Sequence, residues 1–87
     1  MGYFEDVYSS PERHDLRIVE EHVDRPFGWD FDMVVLWEHT VTKKRYWGQD
    51  SGCSCPSPFQ DYYSVSQLND YSKTEDEYKL AIRNLGN

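Results

Sequence analysis

The chain has 87 residues, 38% hydrophobic and 16% aromatic, and its sixteen acidic against nine basic side chains leave a formal charge of −7. That length is one domain, able to bury roughly 60–70% of its unfolded surface without staples. The charge opposes non-specific contact with nucleic-acid phosphates or an anionic membrane and favours a basic partner surface.

Seven Tyr, four Phe and three Trp offset the low hydrophobic fraction with large rings, so the core is expected to be aromatic-rich. The longest apolar run, Met33-Val34-Val35-Leu36-Trp37, is far too short to span a bilayer, and the N-terminus has neither a basic nor an apolar targeting region. A soluble, cytosolic protein is the expectation. The two cysteines, Cys53 and Cys55, are too few for a disulfide scaffold. A bridge between i and i+2 would span an extended Cα separation of about 6.6 Å, the upper limit of disulfide geometry, so reduced thiols are expected.

In chain order, Ser10-Pro11-Glu12-Arg13 has the order of an N-cap followed by Pro at the first helical position, which predicts one helical turn. Over 16–23 a mixed pattern, Leu16 and Ile18 against Val19 and Val23, predicts a strand. Asp24-Arg25-Pro26-Phe27-Gly28 punctuates a loop. The clearest strand follows over 29–41, with Phe31, Met33, Val35 and Trp37 on one face and Val34 and Leu36 on the other. Apolar on both faces, it is expected to be central. Thr42-Lys43-Lys44 reads as a hairpin turn into a short third strand over 45–49. Ser64-Val65-Ser66-Gln67 has capping-box spacing and predicts a short helix. Thr74-Glu75-Asp76-Glu77 is a stronger box that opens a second helix, with Tyr78, Ala81, Ile82 and Leu85 on one stripe and Gly86 as its C-cap.

The fold class is therefore α+β: residues 1–87 form a single small domain in which a three-stranded antiparallel meander is packed by the C-terminal helix. The predicted core is Phe31, Met33, Val35, Trp37, Tyr78, Ile82 and Leu85.

The most distinctive stretch is Asp50-Ser51-Gly52-Cys53-Ser54-Cys55-Pro56-Ser57-Pro58-Phe59, which places both cysteines and two prolines between a strand and a helix. Pro56 and Pro58 fix φ and hold Cys55 and Ser57 extended, so the backbone is stiff. Cys53-x-Cys55 could give two sulfurs to one zinc, completed by Asp50 or by one of His14, His22 and His39. That is half a site, and two small apolar side chains tucking the loop onto the sheet is the preferred reading. Nothing nearby is basic enough to activate a thiol.

Other candidates are weaker. Asp30-x-Asp32 could hold a divalent cation but reads more simply as a charged strand entrance. Lys43-Lys44-Arg45 beside Tyr46 and Trp47 has the types of a single-strand nucleic-acid patch, which the net charge opposes. Glu20, Glu21, Asp70, Asp76 and Glu77 would suit an acidic nucleic-acid mimic if they shared one face.

Together with Trp29-Asp30-Phe31-Asp32-Met33-Val34-Val35-Leu36-Trp37, the Cys-Pro motif resembles a family of small uncharacterised proteins encoded by bacteriophages of actinobacteria, over about half the chain. The resemblance implies a phage gene product made in the cytoplasm of a bacterial host and no particular activity. The functional expectation is a non-enzymatic accessory protein without a cofactor or metal, which binds a protein partner, a host component included. The partner-binding residues would be Trp47, Cys53, Ser54, Cys55, Pro56, Pro58, Phe59, Tyr62 and Tyr63, since Trp and Tyr are the types that anchor interfaces. The zinc module on Cys53 and Cys55 and the acidic mimic are the alternatives.

Overall fold

The computed structural model describes residues 6–24, 30–53, 59 and 61–85, with the side chains of Asp30, Phe31 and Cys53 outside that description. Four strands, β1 (Leu16–Asp24), β2 (Asp30–His39), β3 (Arg45–Cys53) and β4 (Asn69–Asp70), form one antiparallel sheet in chain order, and helix α1 (Glu75–Arg83) follows. The α+β class holds, but the expected three strands are four. β4 has two residues, too few to show a period, and pairs only with Tyr46 and Trp47.

The double-sided apolar pattern of β2 has the consequence expected of it: the strand is paired on both edges. Met33, Val35 and Trp37 point to one face and join Val7, Leu16, Phe59 and Leu68 in a buried cluster. Val34 and Leu36 point to the other, where Trp47, Tyr78 and Ala81 bury them. The predicted core thus divides into two layers. α1 covers the Val34 face, with Ile82 and Leu85 half-buried, and leaves the Met33 face to the N-terminal segment, Phe59, Tyr62 and Leu68. Phe31, also predicted for the core, has its side chain outside the described residues.

One strand interior and two strand ends differ from expectation, each for a local reason. On β1, Ile18 faces Trp37 and Glu20 faces Leu36, so Val19 is an extra residue in a bulge. The bulge resets the alternation and returns Val23, opposite Met33, to the face of Leu16 and Ile18, which explains the mixed pattern. β2 ends at His39 rather than Val41, because the His39 ring Nδ1 accepts from the backbone N–H of Val41 and of Thr42, each at 3.2 Å, and curls the chain. Val41 is left 72% exposed on the turn. β3 runs on to Cys53 instead of stopping at Gln49, since Asp30, Phe31 and Asp32 pair with Cys53, Gly52 and Ser51. The first four residues of the expected loop are strand.

Caps behave similarly. Pro11–His14 is the expected single turn, of 3-10 type, with Ser10 at its N-cap. The Ser64 box shrinks to a 3-10 turn, Val65–Gln67, in which Ser64 Oγ accepts from Ser66 N while Gln67 Oε1 accepts from Tyr63 N at 2.7 Å. Thr74 is the N-cap of α1, yet its hydroxyl makes no cap bond. It donates to the Asp70 carbonyl at 2.6 Å and accepts from the Trp47 indole N–H at 2.8 Å, so the would-be capping residue fastens the helix start to β3 and β4 instead. The helix end is Asn84; the expected cap, Gly86, lies outside the described residues.

Residues 6–9, for which no element was expected, close the second layer. Asp6 Oδ1 accepts from Tyr8 N and Ser9 N at 2.9 and 2.7 Å, an Asx turn that places Val7 inside the core. Val7 N donates to the Tyr62 carbonyl, and the Trp37 indole N–H donates to the Val7 carbonyl at 3.1 Å. Trp37, fully buried, thus ties the central strand to the N-terminal turn. Its replacement by Ala should cost about 3–5 kcal/mol in denaturant unfolding. A loss below about 1 kcal/mol would contradict its burial.

Candidate functional site

The two ends of the Cys-Pro loop are fixed by different means. At one end β3 stays in register with β2 through Cys53. At the other, Phe59 is fully buried and its backbone lies in the left-handed region at φ 59°. Its N–H donates to Asp50 Oδ2 at 2.7 Å, and its carbonyl accepts from Tyr62 N at 3.0 Å. The ring meets Trp37 edge-on at 5.3 Å between centroids, Tyr62 at 5.0 Å and Tyr8 at 5.8 Å. It can reach the sheet because position 48 is glycine: a Cβ there would lie 3.1 Å from Phe59 Cε1 and 3.2 Å from Leu68 Cδ2.

Beyond Phe59 the chain rises to the surface. Tyr62 is half-buried and Tyr63 is 55% exposed, with its backbone N–H held by Gln67. Of the residues expected to meet a partner, Trp47 and Phe59 are therefore interior: Trp47, 6% exposed, sits under α1 on the far face, and Phe59 lies under the N-terminal turn. They pack the fold and are not surface anchors. Tyr62 and Tyr63 are brought together beside the loop end. Ser54, Cys55, Pro56 and Pro58, with the Cys53 side chain, lie outside the described residues.

The described members of the suggested metal-ligand set are separately engaged or placed. Asp50 is engaged by Phe59 N and His39 by the hairpin turn, while His14 is in the first 3-10 turn and His22 on the edge strand β1. Among the described residues no three His, Cys, Asp or Glu side chains gather as a metal-binding group. Nor do the five acidic residues of the mimic share a face, since Glu20 stands opposite Leu36 and Glu21 opposite Val35, on opposite sides of the sheet. Asp24 and Asp32 do stand directly across from one another on β1 and β2, a like-charge pair at the mouth of the strand pair.

Residues 5–86 match a family described as a domain of unknown function, DUF7574. The chain belongs to the DUF7574 family. No curated protein and no solved structure matches it. Among the described residues of this DUF7574 member, no helix is long and apolar enough to cross a membrane.

A second cluster in this DUF7574 chain, on the helix-covered face, joins Tyr78 and Glu20, each of which shifts the other's ionisation. The Tyr78 hydroxyl donates to Glu20 Oε1 at 2.8 Å, and His22 Nε2 lies 3.1 Å from the same oxygen. The Tyr78 ring is hemmed edge-on by Trp47 and Tyr71 at 5.7 and 5.3 Å. Burial, then the Glu20 carboxylate, pushes the phenol well above its ordinary range. The hydrogen bond from Tyr78, then that from His22, holds the Glu20 carboxyl below the usual carboxylate range. With the phenol shielded, the arrangement fastens β1 to α1.

Two outcomes follow for stability. Because the folded state depresses the Glu20 pKa, its contribution is present above the unfolded value of about 4.3 and is lost as pH falls through the folded value. The raised Tyr78 pKa contributes fully below about 10 and is lost as pH climbs beyond it. In melts across pH, Glu20→Gln should flatten the acid limb, and an unchanged acid limb would contradict the bond. Separately, Asp50→Ala should cost about 1–3 kcal/mol by leaving Phe59 N without its charged acceptor, and Asp50→Asn should recover part of that loss in the same denaturant titration.

Proposed function

We propose that this protein is a non-enzymatic phage accessory protein that binds a protein partner, a host component, through the loop of residues 54–58 and the adjoining tyrosines. The observation that carries the reading is the clamping of both loop ends: Cys53 by strand pairing, and Phe59 by full burial with its N–H on Asp50. A recognition segment strung between fixed ends loses less conformational freedom on binding, and affinity gains accordingly. Tyr63 adds an exposed aromatic whose backbone is already held in place, the kind of rigid anchor that interfaces use. The resemblance of the Cys-Pro motif to proteins of actinobacterial phages supports the setting, the cytoplasm of a bacterial host.

The interior position of Phe59 decides how the idea is tested. Phe59→Ala would report on folding, so the informative changes are Tyr63→Ala and replacement of residues 54–58 by a Gly-Ser linker. Immobilised wild-type protein should retain a specific partner from actinobacterial lysate, and both variants should lose it while keeping the wild-type melting temperature and circular dichroism. Retention of the same proteins by all three would contradict the proposal.

A further inference from the structure

We propose a second site, independent of the loop: a cleft at the opposite end of the β2–β3 hairpin that binds a phosphate monoester. Lys43, Lys44 and Arg45 of the hairpin face Asp70, Tyr71 and Ser72 across an opening of about 240 Å³. The two walls are joined by a backbone bond, Tyr71 N to the Arg45 carbonyl at 3.0 Å.

Charge distribution singles this end out. Among the described basic side chains, Arg17 and Arg45 both meet Glu38, Lys79 meets Glu75, and Arg13 and Arg83 are likewise engaged. Lys43, Lys44 and Lys73 stand outside ion-pairing distance of any described carboxylate, in a chain where acids outnumber bases sixteen to nine. Two of them, Lys43 and Lys44, line the cleft, whereas Lys73 lines the neighbouring opening beside Glu75, Asp76 and Glu77. The single carboxylate lining the cleft is engaged by Ser72, since Asp70 Oδ1 accepts from Ser72 N at 3.0 Å and from Ser72 Oγ at 2.8 Å, and Lys73 and Lys44 add to the stabilisation of its charge.

The backbone is built to hold this arrangement. Lys43 sits at φ 65°, a left-handed conformation that glycine or asparagine adopts with less strain. His39 fixes the turn, its carbonyl accepting from Lys43 N at 2.9 Å and its N–H donating to the Lys44 carbonyl at 2.7 Å. A strained position occupied by a lysine where a glycine would relieve the strain is a mark of side-chain use. The chemistry selects the ligand. Near neutral pH a phosphate monoester approaches two negative charges and engages two ammonium groups together, whereas a carboxylate offers one. Tyr71 supplies an aromatic wall for the group the phosphate is attached to.

The test is a titration of isotope-labelled protein at low salt with inorganic phosphate, adenosine monophosphate and phosphoserine, followed through backbone amide signals. Saturable shifts confined to residues 43–45 and 70–73 are expected. Tighter binding of the nucleotide would identify a free nucleotide as the source, and tighter binding of phosphoserine a modified partner side chain; equal affinity for all three would assign the site to the phosphate group alone. Lys43→Gly should raise the melting temperature by relieving the turn and at the same time weaken binding. Lys43→Gly with Lys44→Gln should weaken it at least about tenfold. Shifts that are linear in concentration and spread over the chain would overturn the site. So would undiminished affinity in the double variant with a native-like spectrum.

Discussion

Phe59 over Gly48 is the contact on which the Met33 face of the sheet depends. A phenylalanine in a left-handed backbone costs on the order of 1–2 kcal/mol, and such a residue persists only where its surroundings over-determine it. Here they do: full burial of the ring contributes about 1.5–3 kcal/mol. Edge-on contact with Trp37 and Tyr62 adds about 0.5–1.5 kcal/mol for each pair. The missing Cβ at Gly48 lets the ring sit against the backbone of β3, and Asp50, two residues further along that strand, takes the Phe59 N–H. One strand thus supplies both the seat and the latch. Trp37 extends the same contact to the N-terminal turn through the Val7 carbonyl.

What was legible in the sequence followed how much pattern each part carried. β2 was clear because five consecutive buried residues leave little alternative, and α1 was clear from a stripe at helical spacing. β1 was blurred by the Val19 bulge, which breaks the period of two midway, and β4 by its length. The division of the core into two layers was hidden for another reason. The alternation of β2 shows that both faces are covered but not what covers them, and the N-terminal turn that shields the Met33 face announces itself only by Asp6, an Asx-turn residue beside Val7. The capping box at Thr74 marked the helix start, but tertiary bonds, accepted from the Trp47 indole and donated to the Asp70 carbonyl, took the hydroxyl from its local cap role.

The candidate site was half legible. The Cys-Pro motif singled out the segment between β3 and Phe59, but residue type could not separate buried aromatic rings from exposed ones. Trp47 and Phe59 belong to the first kind and Tyr63 to the second. Gly48 had no signal beyond being a glycine inside a strand, although that alone points to close approach of something to the backbone. Cys53, paired with Asp30, and the cleft lined by Lys43, Lys44 and Arg45 lie at opposite ends of the long β2–β3 hairpin.

A double-mutant cycle of Gly48→Ala with Phe59→Leu tests the seating of Phe59 most directly. In the wild-type background Gly48→Ala should destabilise by about 1–3 kcal/mol, because the new methyl meets the ring and the ring has nowhere to move. In the Phe59→Leu background the ring edge is gone and, of the two close contacts, only that with Leu68 remains, so the same substitution should cost less. A coupling energy near 1 kcal/mol or above in denaturant unfolding is the expected result. Additive effects, within about 0.5 kcal/mol, would show that Phe59 does not rest on Gly48 and would remove the basis for a clamped loop.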